Sequence, residues 1–429
     1  MPATATSARA SITLTPARYA ALLCLVCLGT MFFRSPGLLL HPRLWCEEGI
    51  YYFAAMQLPQ TSVWTYVFRG NYQFLVNLAT GIASMLPAAY AAYVTTAVSL
   101  LTLLAAVALF GLLAHERAWS FATAAATVVA ICLLPQGYEV YLTATNVHWV
   151  ASVSVVLLTA LRVEDWSRSA KVLGVAWMAV CAFSGIPAVV LTPVVLARAV
   201  LTRSRVHAVM AALLSVACAV QLTLVLTHPI LASREFVFDP LVFLEAFLAQ
   251  GVVSPLLGVG LTDSYVAAMR NGALVPLLAL SAMALALGWA FFKAIDATPR
   301  GRTLAIVLGA SALLSASVNA WGSMGTLNHL VHPWENGRYL ILAATCWLMV
   351  LCAAANSPLP LFRALAIACL ASAVFFGLWE AVFGSWKDYL LAGGVPWMQM
   401  VDGCGLHRPC QVTVWPGGLH GWSFILVRP

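Results

Sequence analysis

Apolar residues run in long unbroken stretches from about residue 18 to residue 383, each closed by a short polar break. Alternation at period two is absent from these runs. A segment of ~20 apolar residues in hydrocarbon must satisfy its own backbone N–H and C=O groups, so each run predicts a membrane-crossing helix. The runs fall at 18–40, 88–114, 118–134, 147–162, 170–183, 186–201, 206–227, 273–295, 303–320, 338–355 and 361–383. The predicted fold is therefore all-α: a polytopic transmembrane helical bundle of about eleven spans. The pair meeting at Ser184, Gly185, Ile186 and Pro187 is thin, and fits either one broken helix or a hairpin of two short spans.

Composition agrees: 62% of residues are hydrophobic and 9% charged, against ~45–50% and ~25% in a soluble domain. The net charge of +7 is spread over short loops, which points to membrane orientation and not to nucleic acid. The leader Met1 to Ala17 carries only Arg9 and no small-residue cleavage site follows the first run, so an uncleaved span with its leader inside is expected. With that orientation the inner segments hold thirteen basic residues against four acids, and the outer segments hold eleven acids. The inner loops are short. The outer segments 41–87, 228–272, 320–337 and the small tail 384–429 are long, so residues 1–383 form the helical domain, the C-terminus lies outside, and any site faces outward.

Those outer segments hold the candidate chemistry. Glu47 and Glu48 are adjacent carboxylates beside Tyr51 and Tyr52; like-charge crowding and partial burial raise a carboxyl pKa, as a general base requires. A solvated loop is the plain alternative. From 58 to 87, aromatics precede Leu75 to Leu86 at helical spacing, which predicts a helix lying in the interface. Asn146 and His148 open a span from outside and suit hydrogen bonding to a sugar or phosphate, or simple capping of the helix. In 320–337, His329, His332 and Asn336 precede Arg338 and Tyr339; an Arg entering a span there suits a phosphate, or snorkelling. His329, His332 and Glu335 could share a helix face and ligate a metal, but Pro333 argues against that helix, and no metal is assigned. Arg234 adds a further cation in 228–272. Cys404 and Cys410 are candidates for a disulfide in an oxidising compartment, with Cys46 as a third thiol; the other eight cysteines lie in spans as packing.

Trp45-Cys46-Glu47-Glu48-Gly49 resembles the W-x-E-D-G element of a bacterial group of polytopic proteins related to the GT-C glycosyltransferases. Asn146-Val147-His148-Trp149 resembles that group's N-x-H-W, Asn336-Gly337-Arg338-Tyr339 its G-R-Y, and the tail, with its cysteine pair and Pro416-Gly417-Gly418, is similar as well. Glu48 stands where the group tends to have Asp, which leaves Glu47 and Glu48 both open as the working carboxylate. The resemblance implies a GT-C-like bundle in the bacterial cytoplasmic membrane with its active face extracytoplasmic. It implies a polyprenyl-phosphate-linked sugar as donor and an envelope glycan or lipid as acceptor; no cofactor is assigned, and the residues do not indicate a divalent metal. Substrate-binding residues would come from Arg338, His329, His332, Asn336, Tyr339, Asn146, His148, Arg234 and Tyr52. A transporter or flippase of a lipid-linked sugar or other polar solute, and a structural scaffold, are the alternatives. Transport calls for charges midway through spans, and the predicted spans carry almost none.

Overall fold

A computed structural model of the protein describes residues 14–228, 239–271, 274–298, 301–322, 337–384, 395–405, 409–415 and 423–427. Helices dominate. In order they are α1 (Pro16–Arg34), α2 (Pro36–Leu40), α3 (Ala54–Met56), α4 (Phe74–Ser84), α5 (Ala91–Glu116), α6 (Phe121–Cys132), α7 (Val147–Ala160), α8 (Arg168–Ala182), α9 (Ile186–Val189), α10 (Thr192–Thr202) and α11 (Arg205–Thr227). Then come α12 (Pro240–Ala246), α13 (Ser254–Arg270), α14 (Leu274–Asp296), α15 (Gly301–Trp321), α16 (Ile341–Ala355), α17 (Pro360–Phe383) and α18 (Trp397–Asp402). Among the described residues seven helical stretches are long and apolar enough to cross a membrane, or eight with the bent pair α8 and α9–α10 taken as one. The chain is a multi-pass α-helical membrane protein.

One end of the bundle is marked by hydroxyl caps. Thr15, Ser120, Ser167 and Ser204 accept from backbone N–H groups in the first turns of α1, α6, α8 and α11, satisfying donors that a helix start leaves orphaned. The turns at this capped end are tied together: Ser120 N–H donates to Asn356 Oδ1 at 2.8 Å, and Ser357 Oγ to the Ala294 carbonyl at 2.7 Å. The opposite end carries the sequence motifs.

At the centre stand α7, with 13 of its 14 residues buried, and α16, with 13 of 15. Burial on all sides explains how helices this short can serve: a helix of 14 residues rises only ~21 Å, short of the ~30 Å hydrocarbon core. In α17, by contrast, Leu361, Phe375, Trp379 and Phe383 are exposed, an apolar surface that lipid would cover.

The stretch at 184–187 is a hairpin. The two arms are bent by 120°, and Glu164, just before α8, lies 3.9 Å from Arg198 near the end of α10, so both arms return to the capped end. Gly185, at φ +136°, makes the turn in a conformation that a side chain would strain.

Two expectations for the outer segments are corrected. Residues 228–272, expected as an outer loop, contain a broken helix: α12, a π-helical stretch Phe247–Val253, and α13, interrupted at Gly258 with φ +73°. Leu256 accepts from Ser372 midway along α17, whereas Val259 N–H donates to Glu380, two turns nearer the motif end. Glu245 also lies within electrostatic reach of Tyr265, so this segment, Pro240–Ala268, although one of the seven stretches long and apolar enough to cross, dips in and folds back. The helix expected in the interface is α4, but it packs into the protein, with Leu75, Val76, Asn77, Ala79 and Thr80 buried.

Two small hairpins complete the motif end. β1 (Val67–Phe68) pairs antiparallel with β2 (Asn71–Tyr72), and β3 (Pro409–Thr413) with β4 (Ser423–Val427), Gln411 opposite Ile425. Cys404 and Cys410 are disulfide-bonded at the entry to β3. Trp415 N–H donates to the Leu44 carbonyl at 2.9 Å, and Trp397 Nε1 to that of Ala88 at 2.8 Å, so the C-terminal segment is docked on the first motif.

Candidate functional site

The residues of Trp45-Cys46-Glu47-Glu48-Gly49 point in different directions, and a π-helical turn, Glu48–Phe53, starts inside the motif. Trp45 packs against Trp415 with ring centroids 4.4 Å apart. The Cys46 thiol, raised by burial and by the adjacent Glu47 carboxylate, stays protonated and donates to Glu47 Oε2 at 2.5 Å. The tail packs tightly over Gly49: a Cβ there would sit 2.3 Å from Val414 Cγ1.

The two glutamates separate completely. Glu48, in the segment between spans, is 1% exposed, and its Oε2 accepts from the backbone N–H groups of Ala144 at 2.7 Å and Thr145 at 3.3 Å. Burial pushes its carboxyl up to about 7, against the opposing pull of the Thr95 hydroxyl and those two N–H groups. Glu47 instead lines a cavity of about 340 Å³. The carboxyl with the raised pKa is thus the one that anchors the 144–145 backbone, and its neighbour is the one a ligand would meet.

That backbone belongs to the loop leading into α7. Glu139 ties it to the third motif: its carboxylate accepts from Arg338, while its carbonyl accepts from Asn146 Nδ2 at 2.8 Å. Leu142 at φ +65° is strained backbone of the kind that the surrounding structure must hold in place. Asn146 makes no side-chain cap on α7; its amide is used to hold the loop. His148 Nδ1 pairs with Gln73 Oε1 at 3.1 Å, and Trp149 meets Tyr339 edge-on at 5.4 Å. Arg338 lies over the Tyr339 ring at 5.3 Å, and Glu47 is within its electrostatic reach.

Three motifs separated by about a hundred to two hundred residues therefore converge on one cavity, with Glu47, Asn146, His148, Arg338 and Tyr339 in its wall. Tyr52, a predicted binding residue, does not line it: Tyr52 is 1% exposed and packs edge-on against Tyr66 and Phe68. Arg234, His329, His332 and Asn336 lie outside the described residues. Among the described residues no three His, Cys, Asp or Glu side chains gather closely enough to hold a metal ion.

Several wall residues were not singled out from sequence. Arg69 sits at the tip of the β1–β2 hairpin, stacked over Phe68 at 5.1 Å, in a two-residue turn where both Arg69 (φ +52°) and Gly70 (φ +73°) take positive φ. Such a turn favours Asn-Gly, so an Arg-Gly pair between two aromatic stretches was the available signal. Asn71 and Gln73 follow it into the wall. Asn71 Oδ1 and Trp149 Nε1 are buried and find no hydrogen-bond partner among the described residues, as expected of polar groups that a ligand completes.

Compared with family models, with curated proteins and with solved structures, the chain matches none.

The rest of the wall is apolar. Ile186, Pro187, Val189 and Val190 of the hairpin and Cys218, Leu222 and Val225 of α11 form one side, and Val318 and Trp321 of α15 another. Leu222 is 57% and Trp321 48% exposed, so the apolar side continues onto the outer flank of the bundle. A ligand fitting this cavity has a polar, anionic or hydroxylated end and an apolar remainder.

Proposed function

We propose that the protein is a membrane glycosyltransferase that moves a sugar from a polyprenyl-phosphate donor to a cell-envelope acceptor on the outer face of the bacterial cytoplasmic membrane. The observation that carries this is the placing of Glu47 and Arg338 in one cavity whose other side is apolar and reaches the lipid-facing flank. A polyprenyl chain would lie along α11 and α15, with its phosphate at Arg338. The resemblance of the three motifs to GT-C-related proteins supplies the reaction class.

In this reading the acceptor hydroxyl oxygen attacks the anomeric carbon, and Glu47 takes the hydroxyl proton. The bond from that carbon to the phosphate oxygen breaks, and the lipid phosphate leaves with the electron pair. Arg338, held in orientation by Glu139, offsets the charge developing on that phosphate, an effect worth a few kcal/mol for one well-placed donor. Direct displacement inverts the anomeric centre. Glu48 acts on none of these atoms and positions the Ala144–Asn146 backbone.

Transfer from radiolabelled polyprenyl-phosphate sugars by the purified protein in lipid tests the reading. Glu47→Gln is expected to lower turnover by about 10²–10⁴-fold and Arg338→Ala by about 10²–10³-fold, with Glu48→Gln retaining the larger part of wild-type activity. Equal activity in Glu47→Gln and wild type removes the proposed base.

A second reading, transport of a lipid-linked sugar, draws on the broken helix at Gly258, whose freed Val259 N–H is held by Glu380; discontinuous helices recur at transporter sites. No turnover of any donor, together with movement of donor across the bilayer of reconstituted vesicles that Glu380→Gln abolishes, would favour it.

A further inference from the structure

The capped end of the bundle, opposite the candidate site, has a cavity of its own. It measures about 540 Å³ and is lined by Arg117, Arg162, Glu164, Asp165, Arg198 and Thr303. Three guanidinium groups converge there from three parts of the chain: Arg117 follows α5, Arg162 follows α7, and Arg198 sits near the end of α10. Thr303 belongs to the first turn of α15, whose positive dipole end adds to the field.

Carboxylates accompany these cations. Arg117 donates to the Ala160 carbonyl at 3.3 Å and lies 3.5 Å from Glu116; Arg162 pairs with Asp165. Arg198 is the least served. Its side chain is 9% exposed, its closest carboxylate contact is Glu164 at 3.9 Å, and its Nε has no hydrogen-bond partner among the described residues. Glu164 is itself shared with the fully buried His207, at 3.7 Å. A buried guanidinium with an unmade hydrogen bond, facing a roomy polar cavity, is costly unless something enters to complete it.

We propose that this cavity binds a phosphate ester, its phosphate held by Arg198 with Arg162 and Arg117, and its hydroxyl or amine groups met by Glu164 and Asp165. Guanidinium groups from separate elements can each give charge-assisted hydrogen bonds to one tetrahedral anion. The adjacent carboxylates select against a bare anion and in favour of one carrying hydrogen-bond donors. A phospholipid headgroup from the leaflet at this end and a soluble phosphate ester share that chemistry. The site is independent of the reaction proposed above.

The full-length protein, purified into phosphatidylcholine nanodiscs, is titrated with glycerol 3-phosphate by calorimetry; retention of phosphatidylglycerol from mixed nanodiscs is read separately by native mass spectrometry. Saturable binding of glycerol 3-phosphate assigns a soluble ester, and retention of phosphatidylglycerol alone assigns the lipid. In either case Arg198→Gln and Arg162→Gln are expected to weaken the interaction by about tenfold or more, while Arg205→Gln, exposed at the same end, leaves it unchanged. Arg162 is 30% exposed, so its variant keeps the test open if Arg198→Gln does not fold. Failure of both probes to bind overturns the proposal, as does binding that Arg162→Gln leaves at full strength.

Discussion

Glu47 and Glu48 share a peptide bond and almost nothing else. The first looks into the cavity, and the second, fully buried, binds two backbone N–H groups of the loop ahead of α7. Burial lifts the Glu48 carboxyl from an ordinary value of 4.5 to about 7, so the folded state prefers the protonated form. Its stabilising contribution is complete below pH 4.5 and is lost as the pH rises through 7. Over that whole range the loss is on the order of 3 kcal/mol. Thermal unfolding in nanodiscs should accordingly show a higher midpoint at pH 6 than at pH 8, and Glu48→Gln, which is neutral throughout, should flatten the difference. An unchanged pH slope in that variant would show that Glu48 titrates no differently in the folded state. Sequence alone named both carboxylates but could not separate them, because the distinction comes from a π-helical turn and from partners nearly a hundred residues away. Arg69 and Gln73 were not legible as wall residues, nor Glu139 as the partner of Arg338, for the same reason: each acquires its place only through contacts across the fold.

At the level of elements, continuous apolar runs foretold the long helices well, since hydropathy and backbone satisfaction point the same way there. They failed at 240–270, where Glu245, Gln250 and Asp263 break the apolar pattern; Gln250 is satisfied by Gln136, a partner that no local pattern contains. They also left the 184–187 turn undecided, which the Glu164–Arg198 pairing at the base of both arms resolves as a hairpin. That hairpin carries the apolar wall of the cavity, and its turn is intolerant: a Cβ on Gly185 would lie 3.1 Å from that of His148, at a φ that side chains rarely adopt. Gly185→Ala should therefore destabilise the protein by about 1–3 kcal/mol and lower donor affinity as Ile186, Pro187 and Val190 shift. Wild-type stability and binding in that variant would mean the hairpin does not define the wall.

Over the whole molecule, the two ends differ in kind: one holds capped turns, arginines and an open polar cavity, and the other holds motif residues, small hairpins and a disulfide. The proposed orientation puts the second outside. Single cysteines at Trp64, exposed at the motif end, and at Arg205, exposed at the capped end, introduced into a chain lacking its other free thiols, test it in intact cells. A membrane-impermeant maleimide should label only the first; labelling of only the second would invert the topology and place the candidate site on the opposite face.

The bridge between Trp45 and Trp415 also sets an order of assembly. Every residue placed in the cavity wall is synthesised before α17 ends, yet Val414, the residue after β3 that closes over Gly49, follows every helix among the described residues. A nascent chain halted at Phe383 would own the cavity and lack its clasp, with Leu44, Trp45 and Phe53 uncovered. Maturation of this protein is thus coupled to delivery of the β3–β4 segment to the same side of the membrane as its first motif, and a bulky insertion that stops that delivery would yield a fully inserted but unlatched protein.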